Sequence, residues 1–204
     1  MSRDIVTVIK SVNFSEADKI LTVFGKYNGK FSLIAKSIRK IKSKNRGNMQ
    51  TLSTSDISYY EGKGLPILTE SQLIHMPEFD SHMNIDNVER ILYMLNKFLV
   101  EGDPNRKVFN LIASVIRSDI DTERVNKFRI QLLKELGFLQ EFDRCEFCGS
   151  KSDLKYFDPN VFDLICESCY SKGNKGVKLS QDIYGKPVFT DALDKYIKKV
   201  VEEI

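Results

Sequence analysis

The first eighty residues alternate between hydrophobic and polar side chains with a period of two, which is the pattern of half-buried β-strands. The runs are rich in β-branched residues, and Asn28-Gly29 between two of them is a strong hairpin signal. Gly62-Lys63-Gly64 marks a second hairpin. The five predicted strands are 5–9, 20–24, 30–36, 57–60 and 65–69.

Five short strands with one long connection, residues 37–53, are typical of a small closed barrel. The OB-fold fits this pattern and commonly binds single-stranded nucleic acid. An SH3-like barrel competes on strand count alone.

From Asn84 onwards the hydrophobic positions recur with a helical period. The first helix is predicted to stop near Gly102, and Asp103-Pro104 looks like the N-cap and first residue of the next. A third helix is predicted over 121–136, ending at Gly137. Ser180 and Thr190 are candidate caps of two short C-terminal helices.

The four cysteines form two matched pairs, Cys145-x-x-Cys148 and Cys166-x-x-Cys169, with seventeen residues between them. Two such knuckles at this separation predict a four-thiolate zinc ribbon. Gly149 stands where a knuckle needs a positive φ, and strands at 156–157 and 161–162 would form the intervening hairpin. Buried thiols or two disulfides are the alternatives. Because no signal peptide is recognised, we expect a reducing compartment, which disfavours disulfides.

Four sulfur ligands fill a tetrahedral shell, whereas catalytic zinc keeps a position for water or substrate. The zinc is therefore predicted to be structural. The two histidines, His75 and His82, form no metal-binding motif, and no P-loop, GxGxxG or nucleophile–base grouping is present. We expect a protein that is not an enzyme.

Charge is distributed unevenly along a chain of ordinary composition, 42% hydrophobic and 29% charged. Residues 19–55 contain nine Lys and Arg and no acidic residue, although the whole chain has a net charge of only +3. Unscreened positive charge predicts a polyanionic partner, most commonly nucleic acid. The predicted phosphate contacts are Lys36, Arg39, Lys40, Lys42, Lys44 and Arg46. Candidate stacking residues are Tyr27, Phe31, Tyr59 and Tyr60, with barrel core as the alternative role for Phe31.

Three blocks of sequence resemble the bacterial recombination mediator family RecO. Residues 14–24, FSEADKILTVF, look like its E-x-D-x-I-L-T-x-F block. Residues 29–39, GKFSLIAKSIR, resemble the G-K-x-x-x-x-A-K-G-x-R block, with Ser37 in place of glycine, which is expected to alter the loop. Residues 132–138, LLKELGF, followed by the first cysteine pair, also match. The helical tail is shorter than the family pattern, which puts partner contacts of that tail in doubt.

The resemblance implies an α+β multidomain protein with an OB-fold barrel and a helical domain that carries the zinc ribbon. The expected boundaries are 1–80 for the barrel, 81–142 and 176–204 for the two parts of the helical domain, and 143–175 for the ribbon. It further implies binding and annealing of single- and double-stranded DNA in the cytoplasm at the nucleoid. The implied partners are RecR, the single-stranded DNA-binding protein and, indirectly, RecA, with no membrane contact. A zinc-ribbon protein of transcription or the ribosome is the alternative function.

Overall fold

The computed structural model describes residues 1–78 and 85–204, which form two compact units, 1–120 and 121–204. The first unit contains strands β1 (Ser2–Asn13), β2 (Lys19–Gly25), β3 (Gly29–Ala35), β4 (Thr54–Tyr60) and β5 (Ile67–His75), followed by helices α1 (Ile85–Phe98) and α2 (Arg106–Ile116). The second contains α3 (Thr122–Glu135), β6 (Leu154–Asp158), β7 (Asp163–Cys166), α4 (Glu167–Ser171), β8 (Val177–Lys178), a 3-10 turn (Ile183–Gly185) and α5 (Pro187–Glu203). The predicted domain boundaries stay a prediction, because compactness alone does not test them.

The five N-terminal strands close into a barrel in the order β1-β2-β3-β5-β4. This order confirms the OB-fold and removes the SH3-like alternative. Neighbouring strands are antiparallel except β3 and β5, which run parallel and share a single registered pair, Ile34 opposite Ile67, supplemented by a 2.8 Å bond from the Ile34 N–H to the Pro66 carbonyl. Alternate side chains point inward, as the period of two predicted. The barrel core comprises Val6, Val8, Leu21, Val23, Leu33, Ala35, Ile38, Met49, Ile57, Tyr59 and Leu68.

Helix α1 is held against the barrel by polar contacts at its C-terminal end. The Lys30 ammonium donates to the Asn96 and Leu99 carbonyls at 2.8 and 3.0 Å, and the Asn96 side chain donates to the Ile9 carbonyl at 3.0 Å. A cation at the C-terminal end of a helix is favourable, because the last carbonyls of a helix have no intrahelical partner. Lys30 is thus used structurally, although it belongs to the acid-free basic stretch.

The predicted N-cap of α2 is wrong by two residues. Asn105, rather than Asp103, caps the helix, and its side-chain oxygen accepts from the N–H groups of Lys107 and Val108, both at 3.0 Å. Helix α1 ends at Phe98, before the predicted stop at Gly102, and Gly102 lies in the connection to α2 with a φ of 71°. His75 on β5 contacts the Ile116 carbonyl at 2.9 Å, and His82 lies outside the described residues.

The second unit contains a buried polar network between α3 and α5. Asn126 is fully buried and donates to the Tyr184 carbonyl and the Thr190 hydroxyl, both at 2.8 Å. Arg129 donates to the Asn126 side chain at 3.0 Å and also pairs with Asp194. Thr190 therefore lies inside α5 as a buried partner rather than at a helix start, which corrects its predicted capping role. The predicted third helix and its stop at Gly137, with a φ of 80°, are confirmed.

The ribbon hairpin differs in its second strand from the prediction. β6 includes the predicted residues 156–157, but Val161 and Phe162 lie in the turn, and β7 begins at Asp163. The Asp158 carboxylate accepts from the Asn160 N–H at 2.8 Å, and Phe162 has a φ of 60°. In this longer turn the Phe162 ring is buried, at 3% exposed, and Phe162 does not belong to a β-strand. Among the described residues, no helix is long and apolar enough to cross a membrane.

Candidate metal centre and nucleic-acid interface

The two cysteine pairs meet in the ribbon as predicted. All four sulfurs, from Cys145, Cys148, Cys166 and Cys169, lie within 4.8 Å of one another, and the Cys148 and Cys166 sulfurs are 3.7 Å apart. Zn–S bonds of about 2.3 Å place the corners of a tetrahedron about 3.8 Å apart. The four thiols therefore have the number, chemistry and spacing of a four-sulfur metal site.

Local backbone geometry positions each sulfur. In the first knuckle, the Gly149 N–H donates to the Cys145 carbonyl at 2.8 Å, and Gly149 takes the predicted positive φ, 69°. In the second, Cys166 is the N-cap of α4, and its sulfur accepts from the Cys169 N–H at 3.4 Å. Three of the sulfur-bearing residues are buried and Cys148 is exposed. The ribbon therefore holds its thiols together through its own turns.

The surroundings of the sulfurs affect their ionisation in opposite directions. Burial opposes ionisation of Cys145, but backbone hydrogen bonds from Cys166, Cys148 and Phe147 outweigh it and lower the pKa of the thiol to about 6. Burial and the neighbouring sulfurs raise the pKa of Cys169 to about 12. Repulsion between the thiolates of Cys145 and Cys169 opposes their ionisation together, and a bound cation would relieve that repulsion.

The basic segment, defined here as residues 36–46, leaves β3 and crosses the barrel surface in a series of tight turns. Hydrogen bonds close these turns from Lys40 N–H to Ser37 O at 3.1 Å, from Ser43 N–H to Lys40 O at 3.0 Å and from Arg46 N–H to Ser43 O at 3.3 Å. The six predicted contact residues, Lys36, Arg39, Lys40, Lys42, Lys44 and Arg46, are all exposed. The structure therefore places them on one continuous surface segment, while their contact with nucleic acid stays a prediction.

The four candidate stacking residues divide into two kinds. Tyr59 is 3% exposed and belongs to the barrel core, where Phe31 packs with its ring centre 5.4 Å away. Burial of Tyr59 makes stacking on bases wrong for that ring. Phe31 is half-buried and packs against the core, because alternation along β3 points it inward, and stacking by its ring stays a prediction. Tyr27 and Tyr60 are 49% and 59% exposed. Tyr27 is flanked by Lys26 and Arg106 at 5.5 and 5.3 Å from its ring centre.

Comparison with known proteins identifies the family. A profile described as recombination protein O, N terminal, matches residues 1–77, and its C-terminal counterpart matches residues 90–184. The chain belongs to the RecO family.

Several relatives named DNA repair protein RecO align with most of the chain. The protein from Syntrophomonas wolfei is 29% identical over 186 residues, covering 86% of this chain and 72% of the relative. The one from Acetivibrio thermocellus is 29% identical over 187 residues, with coverage of 85% and 72%. The one from Clostridium perfringens is 26% identical over 208 residues, with coverage of 96% and 83%.

The two N-terminal blocks that resemble RecO contact each other. The Asp18 carboxylate accepts from the Ser37 N–H at 2.7 Å, and the Arg39 guanidinium donates to the Ser15 and Glu16 carbonyls at 3.1 and 2.9 Å. These bonds tie the β1–β2 loop to the start of the basic segment. The sequence pattern assigned Arg39 to phosphate and missed this second role, because its two bonds join residues 24 and 23 positions apart in the chain.

The departure from the RecO pattern at Ser37 falls on a residue with a left-handed backbone. Ser37 has a φ of 53°, in the left-handed region that glycine adopts without strain. The structure shows a left-handed backbone at Ser37, and the expected effect of serine on the loop stays a prediction. The Asp18 hydrogen bond to its N–H stabilises that conformation.

Proposed function

We propose that this RecO-family chain is a non-catalytic DNA-binding mediator of recombinational repair. It binds single- and double-stranded DNA, anneals complementary strands and assists the loading of RecA. The observation that carries the proposal is the basic segment, whose six cations are exposed on an OB-fold barrel within a stretch free of acidic residues. The relatives' name, DNA repair protein RecO, supports it, and favours repair over a role in transcription or the ribosome.

The physical basis is neutralisation of phosphate charge. Lysine and arginine that contact phosphates release condensed counterions, which gives affinity without sequence readout. Two strands held at such a surface repel each other less, and annealing requires that reduction in repulsion. Activity of this kind requires no reacting side chain.

The proposed partners are those that the resemblance to RecO implies. They are RecR, the single-stranded DNA-binding protein and, indirectly, RecA, and the site of action is the nucleoid in the cytoplasm. Co-precipitation of the purified chain with RecR and with the single-stranded DNA-binding protein tests these contacts. Assays for DNA- or nucleotide-dependent turnover test the non-catalytic role, and any turnover that follows the chain through purification would overturn it.

A salt titration tests the DNA-binding site. If about five phosphates are neutralised, the slope of log affinity for single strands against log salt is about −3.5, from about −0.7 per contact. The combined variant Lys40→Ala, Lys42→Ala and Lys44→Ala is expected to flatten that slope by about two. Arg39 is left intact because its hydrogen bonds hold the loop.

The matched control removes the same charge elsewhere. Lys172→Ala, Lys175→Ala and Lys178→Ala change three exposed lysines of the ribbon. We expect this control to retain most of the wild-type slope and both variants to keep wild-type stability within about 0.5 kcal/mol. If the ribbon variant flattens the salt slope more than the Lys40, Lys42 and Lys44 variant does, the DNA site lies in the second unit instead.

The four-cysteine cluster is proposed to hold structural zinc. Two observations support this proposal. The four sulfurs all lie within 4.8 Å of one another, and the turn of each knuckle fits tightly around its own cysteine pair. When bound, the ion supplies the positive charge that stabilises four thiolates at once, so its binding free energy adds to folding. Metal analysis of protein purified without added metal is expected to give one zinc per chain, and a metal-free, fully stable protein would refute the proposal.

A further inference from the structure

Ile41 is the most exposed large hydrophobic residue that the described part of the chain contains, at 89%. It occupies a corner of the tight turn from Lys40 to Ser43, the second of three consecutive turns in the basic segment. Lys40 and Lys42 flank it, and both are exposed. A bare aliphatic side chain therefore projects from the middle of the cationic surface.

The choice of isoleucine at this corner runs against local preference. Turn corners favour Gly, Pro, Asn, Asp and Ser, whereas β-branched residues favour strands. Burial does not compensate, because nearly the whole side chain stays in water. A residue that breaks a local rule without a gain in packing is expected at a functional position.

The turn is held firmly on both sides. Ile38, three residues earlier, is 3% exposed and lies in the barrel core, as does Met49 further on, at 2%. Arg39 bonds to two carbonyls of the β1–β2 loop. Presentation by such a fixed support lowers the entropy lost when Ile41 contacts a ligand.

We propose that Ile41 packs against the faces of unpaired bases while Lys40 and Lys42 hold the adjoining phosphates. The inference rests on the proposed DNA binding of the basic segment and identifies what the exposed Ile41 side chain recognises. Every base has an apolar face, so the contact carries no sequence preference. In a duplex those faces are stacked inside, and Ile41 therefore favours single strands over duplex.

Substitution at position 41 separates this contact from phosphate binding. Ile41→Ser is expected to lower affinity for an oligo-dT strand about threefold to fivefold, as loss of a partly buried aliphatic side chain implies. Affinity for a blunt duplex of equal length is expected to stay unchanged. The salt slope is also expected to stay unchanged, because it counts phosphates. Ile41→Tyr should raise single-strand affinity about fivefold, since aromatic rings stack better on bases.

Val100 provides the matched control, because it is also exposed, at 66%, and lies in the same unit outside the basic segment. Val100→Ser is expected to bind both DNA forms as the wild type does. The chain contains no tryptophan, so Ile41→Trp and Val100→Trp each introduce a single fluorescent reporter. Bases stacking on the indole should quench fluorescence at position 41 when oligo-dT is added, and leave position 100 unaffected.

The outcomes separate this inference from the proposed function. If wild-type binding depends on salt, unchanged affinity in Ile41→Ser together with no quenching in Ile41→Trp would overturn the base contact and leave DNA binding intact. Equal losses for single strand and duplex would also overturn it, because the contact would then not require unpaired bases. A wild type without salt-dependent DNA binding would overturn both.

Discussion

Gly29 shows how one residue can meet two separate requirements. It ends the turn between β2 and β3 with a φ of 67°, which glycine adopts without a steric penalty. It also lies against the chain before α2, where an added Cβ would sit 2.4 Å from the carbonyl carbon of Asp103. The turn follows from the Asn-Gly pair in the sequence. The close approach does not, because Asp103 is distant along the chain.

Replacing Gly29 by alanine is expected to cost more than conformational strain alone. Gly102 is the matched position, since its φ is 71° and an added Cβ would meet nothing within 4 Å. Gly102→Ala should lower the free energy of unfolding by about 1–2 kcal/mol, the cost of a left-handed L-residue. Gly29→Ala should lower it by about 1–3 kcal/mol more, because backbone must move. Urea denaturation measures both, and equal losses would contradict the contact with Asp103.

At the scale of elements, periodicity in the sequence located all five barrel strands and the three helices that follow them. The period of two and the helical stripes in the sequence match the observed strands and helices, because each element buries one face. Errors arose where neighbouring polar residues compete for one role, as Asp103 and Asn105 do at the start of α2. They also arose at Phe162, whose left-handed backbone and buried ring no local pattern reveals.

The candidate site was predictable to a similar extent. Cysteine spacing was sufficient to bring the four sulfurs together, because each pair occupies one short turn. The exposure of the basic segment followed from its charge. The inward orientation of Tyr59 and the bonds from Arg39 to the β1–β2 loop depend on how distant strands pair, and such pairing leaves little trace in a single sequence.

The N-cap of α2 provides a test at this scale. Asn105→Ala is expected to lower the free energy of unfolding by about 1 kcal/mol, because two N–H groups lose their acceptor. Asp103→Ala is the control and should change stability by less than about 0.5 kcal/mol. Thermal denaturation of the two variants decides between the two caps, and a larger loss for Asp103→Ala would restore the prediction made from sequence.

At the scale of the whole molecule, the chain divides into a barrel unit and a ribbon-bearing unit, each with a core of its own. The basic segment lies in the first unit, and the four cysteines lie in the second. Loss of metal and loss of DNA binding are therefore expected to be separable.

Chelation of the proposed zinc is expected to destabilise residues 121–204 while single-strand affinity stays within about twofold, because binding of a structural metal contributes directly to folding. Cys166→Ser should act in the same way. Limited proteolysis with and without chelator should show early cleavage in the second unit, and a DNA titration gives the affinity. Simultaneous loss of both properties would show that the two units fold as one.

The barrel closes through its weakest join, the parallel contact of β3 with β5, whereas β1 pairs with β2 from Val6 to Asn13. A strand pair with so few hydrogen bonds opens more often than the neighbouring pairs, so we expect local opening of the barrel between β3 and β5. Deuterium should enter the Ile34 amide well before the central amides of β1, and uniform protection would contradict this. Since β3 continues directly into the basic segment, each such opening would loosen the base of the segment proposed to hold DNA. The rate of that motion would then limit how quickly a bound strand can be rearranged or released.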